Sequence, residues 1–416
     1  MQRGTIDEIA KERVKEILQK VKERKLEAIL ECTEKFDGIK LDKGGIKVSE
    51  DEIKNAYNKL TKKQLTAIRE SIKRVKIFHL KQKKAIQNIT LKSKEGTTTL
   101  RWLPLEQAGI YAPAGKAPLP SSVLMAAIPA KIAGVKELVL CSPPQKDGNV
   151  DASILVVANE CGINNIYKIG GAQAIGAMAY GCELFDSVDI IAGPGNVYTS
   201  YAKQLVASLG AVKIDTIAGP SEVLVLADET GSPSMIASDM LAQAEHGSNS
   251  SAICITTSEK IANQVAAELK LQVNALKDNS EIKASLANFG AVVLCETLEQ
   301  AIDFVNIFAP EHAEIYTKNA DAIAAKIINA GAVFIGTGEV FGDYGMSDSN
   351  HILPTGRAAR FASGVSVYTF LKYQLVEKMN PAEQKNLAPL AAEFARLERL
   401  EAHARSAEQR SKEVKK

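Results

Sequence analysis

Histidine is scarce in this chain: His79, His246, His312, His351 and His403 are the only five in 416 residues. Any imidazole chemistry must rest on one of them. The six cysteines, Cys32, Cys141, Cys161, Cys182, Cys254 and Cys295, show no CxxC spacing and fall mostly in apolar runs, which reads as reduced, buried thiols. No stretch approaches the roughly 18 uninterrupted apolar residues that a membrane-spanning helix needs, because Gly, Pro or Lys breaks each one. A formal net charge of +2 gives no strong bias toward nucleic acid or a membrane surface, so small molecules or further copies of the chain are the expected partners. The opening MQRGTIDEIAKERVKE alternates charges and lacks the apolar core of a secretory signal, and the expected location is the cytoplasm.

What is present is an ordinary globular composition, 46% hydrophobic and 24% charged, on a chain too long for one small core. From Ile6 to about Lys84 the pattern is helical and charged, interrupted at FDGIKLDKGG. Ser49 with Glu52 three residues on reads as a capping box that opens a long helix. The basic face of that helix, with Lys62, Lys63, Arg74 and Lys76, reads as a solvated surface, and His79 reads as a surface or packing residue. After Trp102 the texture changes. ELVLC, NIYKI, VDIIA, EVLVLAD, AICITT, AVVLCE, AEIY and AVFIG read as buried strands, most of them separated by helical segments.

That alternation predicts an α/β fold of two Rossmann-like parallel-sheet units joined near residues 218–228, with an N-terminal helical segment and a C-terminal helical tail. The expected boundaries are 1–109 for the helical segment, 110–222 and 223–363 for the two α/β units, and 364–416 for the tail, where only helical signal is read. Three glycine turns, IGGAQAIG, AGPGNVY and AGPSEV, are expected beyond carboxyl ends of strands, where helix N-termini offer unpaired N–H groups. The first lacks the GxGxxG spacing and a following acidic residue, so it is ambiguous between nucleotide contact and tight strand-to-helix packing.

In LAQAEHG, Gln243 and His246 are three residues apart and share a helical face, as a metal half-site or as a solvated helix end. Glu311 and His312 in APEHAEIY pair a carboxylate with an imidazole at a loop edge, which suits acid and base work near neutral pH. GDYGMSDSNHILPTG adds Asp343 and His351 from a polar, Gly-containing loop.

With these segments in order, the sequence resembles the histidinol dehydrogenases from about Val21 into the tail. The resemblance is carried by EKFDG, GIYAPAGKAPLPSSVLMAAIPAKIAGVKELVLCSPP, KIGGAQAIGAMAYG, AGPGNVY, IDTIAGPSEVLVLAD, LAQAEHG, APEHAE, GDY with NHILPTG, ARFASGVSVYTFLK and LEAHARSAEQR. It implies a zinc enzyme that oxidises L-histidinol to L-histidine with two NAD molecules through a bound aldehyde, at the end of histidine biosynthesis. It further implies that Gln243, His246, Asp343 and His403 hold Zn2+, that His312 is the base of both oxidations, and that Glu311 activates water. By the same resemblance Ser221, Tyr344, His351 and Glu398 join Gln243, His246, His312 and His403 around the substrate, and Tyr111, Gln173 and Asn196 line the NAD path. The loop between Asp343 and His351 departs from the family pattern: it is about one residue longer, lacks the Gly-Pro before Asn350-His351, and offers Asp348 as a competing ligand.

Three rivals are open to the sequence. An aldehyde dehydrogenase would need an exposed nucleophilic cysteine, and Cys295 at the end of an apolar strand is the best placed. A zinc- and NAD-dependent dehydrogenase of another small alcohol would share the scaffold. A non-enzymatic metal-binding protein would have no use for Glu311-His312. The tail carrying Glu398 and His403 has too little apolar area for its own core, so it is expected to dock on a second copy in a homodimer with shared active sites.

Overall fold

The computed structural model describes residues 8–114, 117–217 and 219–412, so that Ala218 of the third glycine turn lies outside the described residues. The chain divides into two compact units: residues up to Lys81 with Leu105–Phe370, and Gln82–Pro104 with the residues from Leu371 on.

Helices α1 (Glu8–Asp37), α2 (Glu50–Asn58) and α3 (Lys62–Ala85) come first. The capping box of Ser49 and Glu52 is present at α2. The single long helix expected after it is two, because Thr61 and Gln64 form a second reciprocal cap: Gln64 N–H donates to Thr61 Oγ1 at 3.2 Å and Thr61 N–H to Gln64 Oε1 at 2.8 Å. Strands β1 (Ile89–Lys92) and β2 (Gly96–Pro104) follow.

The first parallel sheet is built from β3 (Gln107–Tyr111), α4 (Pro120–Ala133), β4 (Glu137–Ser142), α5 (Ala152–Glu160), β5 (Asn165–Lys168), α6 (Gly171–Tyr180), β6 (Ile190–Ala192), α7 (Val197–Ser208) and β7 (Lys213–Ile214). The second repeats the plan with β8 (Glu222–Ala227), α8 (Pro233–Ala244), β9 (Ser251–Thr256), α9 (Glu259–Ala275), α10 (Ser280–Phe289), β10 (Gly290–Leu294), α11 (Leu298–Phe308), β11 (His312–Tyr316), α12 (Ala320–Ala324) and β12 (Ala332–Ile335). The strand orders are β5-β4-β3-β6-β7 and β10-β9-β8-β11-β12. Each sheet therefore reverses direction beside its first strand, the arrangement of a Rossmann half.

Helices cover both faces of each sheet, which is why a central strand such as EVLVLA of β8 is buried at every position. Helix α4 is apolar on all sides for the same reason, being buried from Ser122 to Ala130. Helix α1 packs Val14, Leu18 and Val21 into the core beneath the first sheet, together with Ile175 and Met178 of α6. The second sheet has one apolar cluster around Ile236 and Met240 of α8 and another around Ile302 and Val305 of α11. A short helix, α13 (Val340–Asp343), follows β12.

The second unit corrects the expectation of a purely helical tail. Leu371–Met379 is a strand, β13, which pairs antiparallel with β2 over nine residues from Leu371 opposite Pro104 to Met379 opposite Gly96. Residues 89–104, expected within a helical segment, supply the other two strands of that sheet, in the order β1-β2-β13. Local pattern concealed this, because LKYQLVEKM is exposed on both faces after Leu371 and lacks the in-out alternation of a half-buried strand. Helices α14 (Pro381–Leu397) and α15 (Glu401–Lys412) complete this unit.

Asp37 closes α1 with its Oδ2 buried and without a hydrogen-bond partner, and burial pushes its carboxyl up to about 6. The folded state thus holds this proton more tightly than the unfolded chain. The resulting stability is fully present below about pH 4 and is lost as pH rises through about 6. Asp37→Asn should match the parent near pH 4 and exceed it by about 1 kcal/mol at pH 7.5, solvent screening limiting the gain at this partly exposed site. Urea melts of both proteins across that range check it, and a constant difference would contradict it.

Candidate active site

The first unit contains a cavity of about 460 Å3. Its walls come from unequal ends of the two sheets. From the first sheet come segments beyond the carboxyl ends of β6 and β7, Gly193–Pro194 and Asp215–Thr216. From the second come the amino ends: Ser221 precedes β8, Glu311 precedes β11, and His312 is its first residue. All three glycine turns were expected beyond carboxyl ends, and for the third, on the second sheet, the geometry is the reverse. Both glycine turns of the first sheet, at 169–176 and 192–198, do follow carboxyl ends, whereas Gly219–Ser221 leads into the start of β8.

Gln243 occupies the last turn of α8 and His246 lies just past its end, so the shared helical face becomes a shared wall of the cavity. Asp343 is the last residue of α13, and Tyr344 and His351 follow in the loop; all three line the same space. Glu311, His312 and Gln243 are buried, whereas Tyr344 is exposed at its edge.

His312 is held on one side. Its Nδ1 lies 2.7 Å from Gln243 Nε2 and 3.2 Å from the Glu222 carbonyl oxygen. Its Nε2 is buried without a hydrogen-bond partner, and Asp343 Oδ1 stands 3.6 Å away, beyond good hydrogen-bond length. A carbonyl oxygen only accepts and an amide NH2 only donates, so the two neighbours ask Nδ1 for opposite tautomers; the one that donates Nδ1–H to Glu222 leaves the Nε2 lone pair bare. Glu311 Oε2 accepts the Glu222 N–H at 3.1 Å, and Glu222 thereby holds both members of the pair through its backbone.

Burial governs the charge state of every group here. It pushes His312 down to about 3 and His351 down to about 4, and it lowers His246. It raises Asp343 to about 7, helped by the charge of Glu339, and lifts Glu311 well above the ordinary carboxylate range against the Glu222 N–H. The imidazoles are therefore neutral at physiological pH. His351 Nδ1 is hydrogen-bonded to the Asp343 carbonyl oxygen, which leaves Nε2 as its remaining acceptor.

Sequence reasoning missed the layer behind these residues. Asp239 is one helical turn before Gln243, Glu339 one turn before Asp343, and Glu314 two strand positions after His312. Tyr316 Oη donates to Asp239 Oδ2 at 2.8 Å, and the Glu339 N–H donates to Glu314 Oε1 at 2.6 Å. Burial beside Glu339 holds the Glu314 carboxyl well up. The i, i+4 and i, i+2 spacings were the available signal. Lys203, also missed, is buried with Asp215 in an ion pair; its ammonium donates to the Gly193 carbonyl at 2.9 Å, and the Gly193 N–H donates to Asp215 Oδ2 at 2.8 Å. This latch fixes the turn at the cavity wall.

Tyr111, Gln173 and Asn196 do not line the cavity; they gather at the carboxyl ends of the first sheet. The Gly171 N–H donates to Tyr111 Oη at 3.2 Å, Gln173 is buried in the first turn of α6, and the Asn196 carbonyl side-chain oxygen caps α7 by accepting from Tyr198 and Thr199 N–H. Glu398 and His403 are exposed on the second unit. Asp348 is outside the cavity lining and pairs with Arg74 of α3 at 3.5 Å. Cys295 is outside the cavity lining, and burial raises its thiol, the opposite of what a nucleophile needs. Among the described residues, no group of three or more His, Cys, Asp or Glu side chains is placed to hold a metal ion.

The histidinol dehydrogenase profile matches residues 1–411. The chain belongs to the histidinol dehydrogenase family. It is 46% identical to a histidinol dehydrogenase of Geobacillus kaustophilus over 95% of this chain and 93% of that one. With a histidinol dehydrogenase of Methanocaldococcus jannaschii it shares 41% identity over 96% and 92% of the two chains. The crystal structure of histidinol dehydrogenase from Elizabethkingia anophelis superposes with a TM-score of 0.92 at 39% identity, covering 99% of this chain and 95% of that one. The family is one of enzymes, which removes the non-enzymatic rival. No helix among the described residues is long and apolar enough to cross a membrane.

Proposed function

We propose that this chain is a zinc-dependent, NAD-linked enzyme that oxidises L-histidinol to L-histidine through L-histidinaldehyde, closing histidine biosynthesis in the cytoplasm. Family membership supports the substrate. The observation that carries the chemistry is the bare, buried Nε2 of a neutral His312 opening on a cavity that also presents Gln243, His246 and Asp343.

The donors fit Zn2+ in kind: an imidazole, a carboxylate and an amide oxygen are nitrogen and oxygen ligands of the type it takes. Asp343, raised by burial, is the group a nearby cation would hold ionised. Three donors leave the set short, and His403, on the second unit, would complete it from a second copy of the chain, with Glu398 reaching the substrate from the same tail. Two features of that unit support docking. Helices α14 and α15 bury only Ala388, Ala392 and Ala404, and Leu390, Phe394 and Leu397 form an exposed apolar stripe at helical spacing. Bound there, Zn2+ would polarise the alcohol oxygen and orient the substrate, while NAD, approached past Tyr111, Gln173 and Asn196, would accept a hydride in each oxidation.

His312 takes the alcohol proton on Nε2 as hydride leaves the carbinol carbon, giving the aldehyde. Glu311 then takes a proton from water as its oxygen adds to the aldehyde carbon; the burial that raises this carboxyl makes its ionised form a stronger base. As water adds, the former carbonyl oxygen takes the proton that His312 holds, which completes the hydrate and returns His312 to its neutral form. His312 then removes a proton from the hydrated aldehyde as the second hydride leaves, and the acid so formed ionises to the carboxylate product. Ser221, Tyr344 and His351 bind the substrate around these two.

Chelation should abolish turnover and Zn2+ should restore it, and His246→Ala should lower bound metal measured by atomic emission. Full activity in metal-free protein would overturn the zinc reading. Replacing His312 by Asn should slow both oxidations, whereas Glu311→Gln should spare alcohol oxidation relative to aldehyde oxidation, as stopped-flow NADH formation from each substrate would report. Mixing His312→Asn and His403→Ala proteins under subunit exchange should return about a quarter of parental activity, since one site of each mixed dimer carries neither change. Verified exchange with no recovery would show that the tail serves its own chain.

A further inference from the structure

Helix α3, read from sequence as a solvated charged surface, presents Ser71, Arg74, Val75 and His79 on one face, and the loop 344–351 lies along it. Gly345 passes so close that an added Cβ would stand 2.5 Å from Val75 Cγ2, at a φ of 66° that itself favours glycine. Arg74 donates to the Met346 carbonyl at 3.3 Å and pairs with Asp348. The deepest contact is made by His79, whose relative exposure is 0%. Its Nε2 lies 3.2 Å from Asn350 Nδ2.

The amide orientation follows from its neighbours. Asn350 Oδ1 accepts the Ile352 N–H at 3.0 Å, so the nitrogen faces the other way and donates to the Met125 carbonyl at 2.7 Å. The second amide hydrogen is then directed at His79, which must accept it through an unprotonated Nε2. The proposed mechanism has no use for either residue. A buried His–Asn pair is nonetheless a costly way to fill space compared with two apolar side chains, and what it adds is direction. Asn350 immediately precedes His351, whose ring is tied from the other side to the Asp343 carbonyl.

We propose that His79 is a positioning residue: through the Asn350 amide it fixes the backbone of His351 so that the ring is presented to the cavity. This rests on the reading above that His351 contacts the substrate. The test uses the zinc-loaded full chain. His79→Phe keeps a planar ring and removes the acceptor, whereas His79→Gln places an acceptor near the lost Nε2. The Phe variant should raise KM for L-histidinol about tenfold with kcat within twofold of the parent and KM for NAD unchanged, and the Gln variant should recover most of that loss. An unchanged KM in the Phe variant, or equal losses in both variants, overturns the proposal.

A second readout does not depend on the substrate. In protein labelled with 15N-histidine, the His351 ring signal, assigned with His351→Asn, should be single in the parent and the Gln variant and shifted or split in the Phe variant. A parental His351 signal in the Phe variant overturns the positioning role, even if L-histidinol proves not to be the substrate; absence of L-histidinol turnover in the parent overturns only the functional reading. If His79→Phe does not fold, Asn350→Leu breaks the same link from the loop side, with the same outcomes expected.

Discussion

Everything in the candidate site follows from one constraint: His312 is a buried imidazole with one nitrogen engaged and the other bare. Placing it at the first residue of β11, between β8 and β12, gives its backbone the ladder partners Val223 and Ala332 and lets it move little. Desolvation then fixes its charge at zero, and the tautomer that donates Nδ1–H to the Glu222 carbonyl leaves Nε2 free to act as base. Gln243 is in turn held by α8, which packs Ile236 and Met240 onto the sheet. The apolar core beneath the site and the proton chemistry within it are therefore linked through a single side-chain amide.

The acidic layer behind the site extends this dependence. Carboxylates at Asp239, Glu314 and Glu339 are expensive to bury, and they persist because Tyr316 and backbone N–H groups satisfy part of them. Burial first, and the charge of Glu339 after it, raise Asp343 and Glu311 and so oppose a second ionised carboxylate in the cavity. A cation reverses that balance. An arrangement that disfavours charge when empty and accepts it when a counter-charge is present is a way to couple occupancy to the readiness of the base.

Much of this was legible in the chain. The central strands announced themselves because burial on both faces leaves continuous apolar runs, as in EVLVLAD and AICITT, and the spacing of Gln243 and His246 gave their common face. Strands with little buried surface, such as β13, carry no such mark, and their partner lies some 270 residues away. His79 was illegible for a related reason: its lysine-rich neighbours give the helix a solvated character, while its own environment is set by a loop far along the chain. Asp348 likewise looked available because Arg74, which engages it, is remote in sequence. The end of a sheet at which a turn sits was legible for His312, which the apolar run AEIY follows directly, but not for AGPSEV, where apolar runs lie on both sides.

The reversed use of the second sheet leaves the turns after β8 and β11, at its opposite rim, without a proposed site residue. The turns after β8 and β11 are short and tied down, with the Gly231 N–H donating to the Asp228 carbonyl at 3.1 Å and the Lys318 N–H to Asp228 Oδ2 at 2.8 Å. No proposed catalytic, metal, substrate or cofactor residue stands on these turns. Insertion or attachment of a reporter at the turn after β8 or β11 would have to keep the Asp228 hydrogen bonds but would touch no proposed site residue, since the cavity lies at the far edge of the same strands.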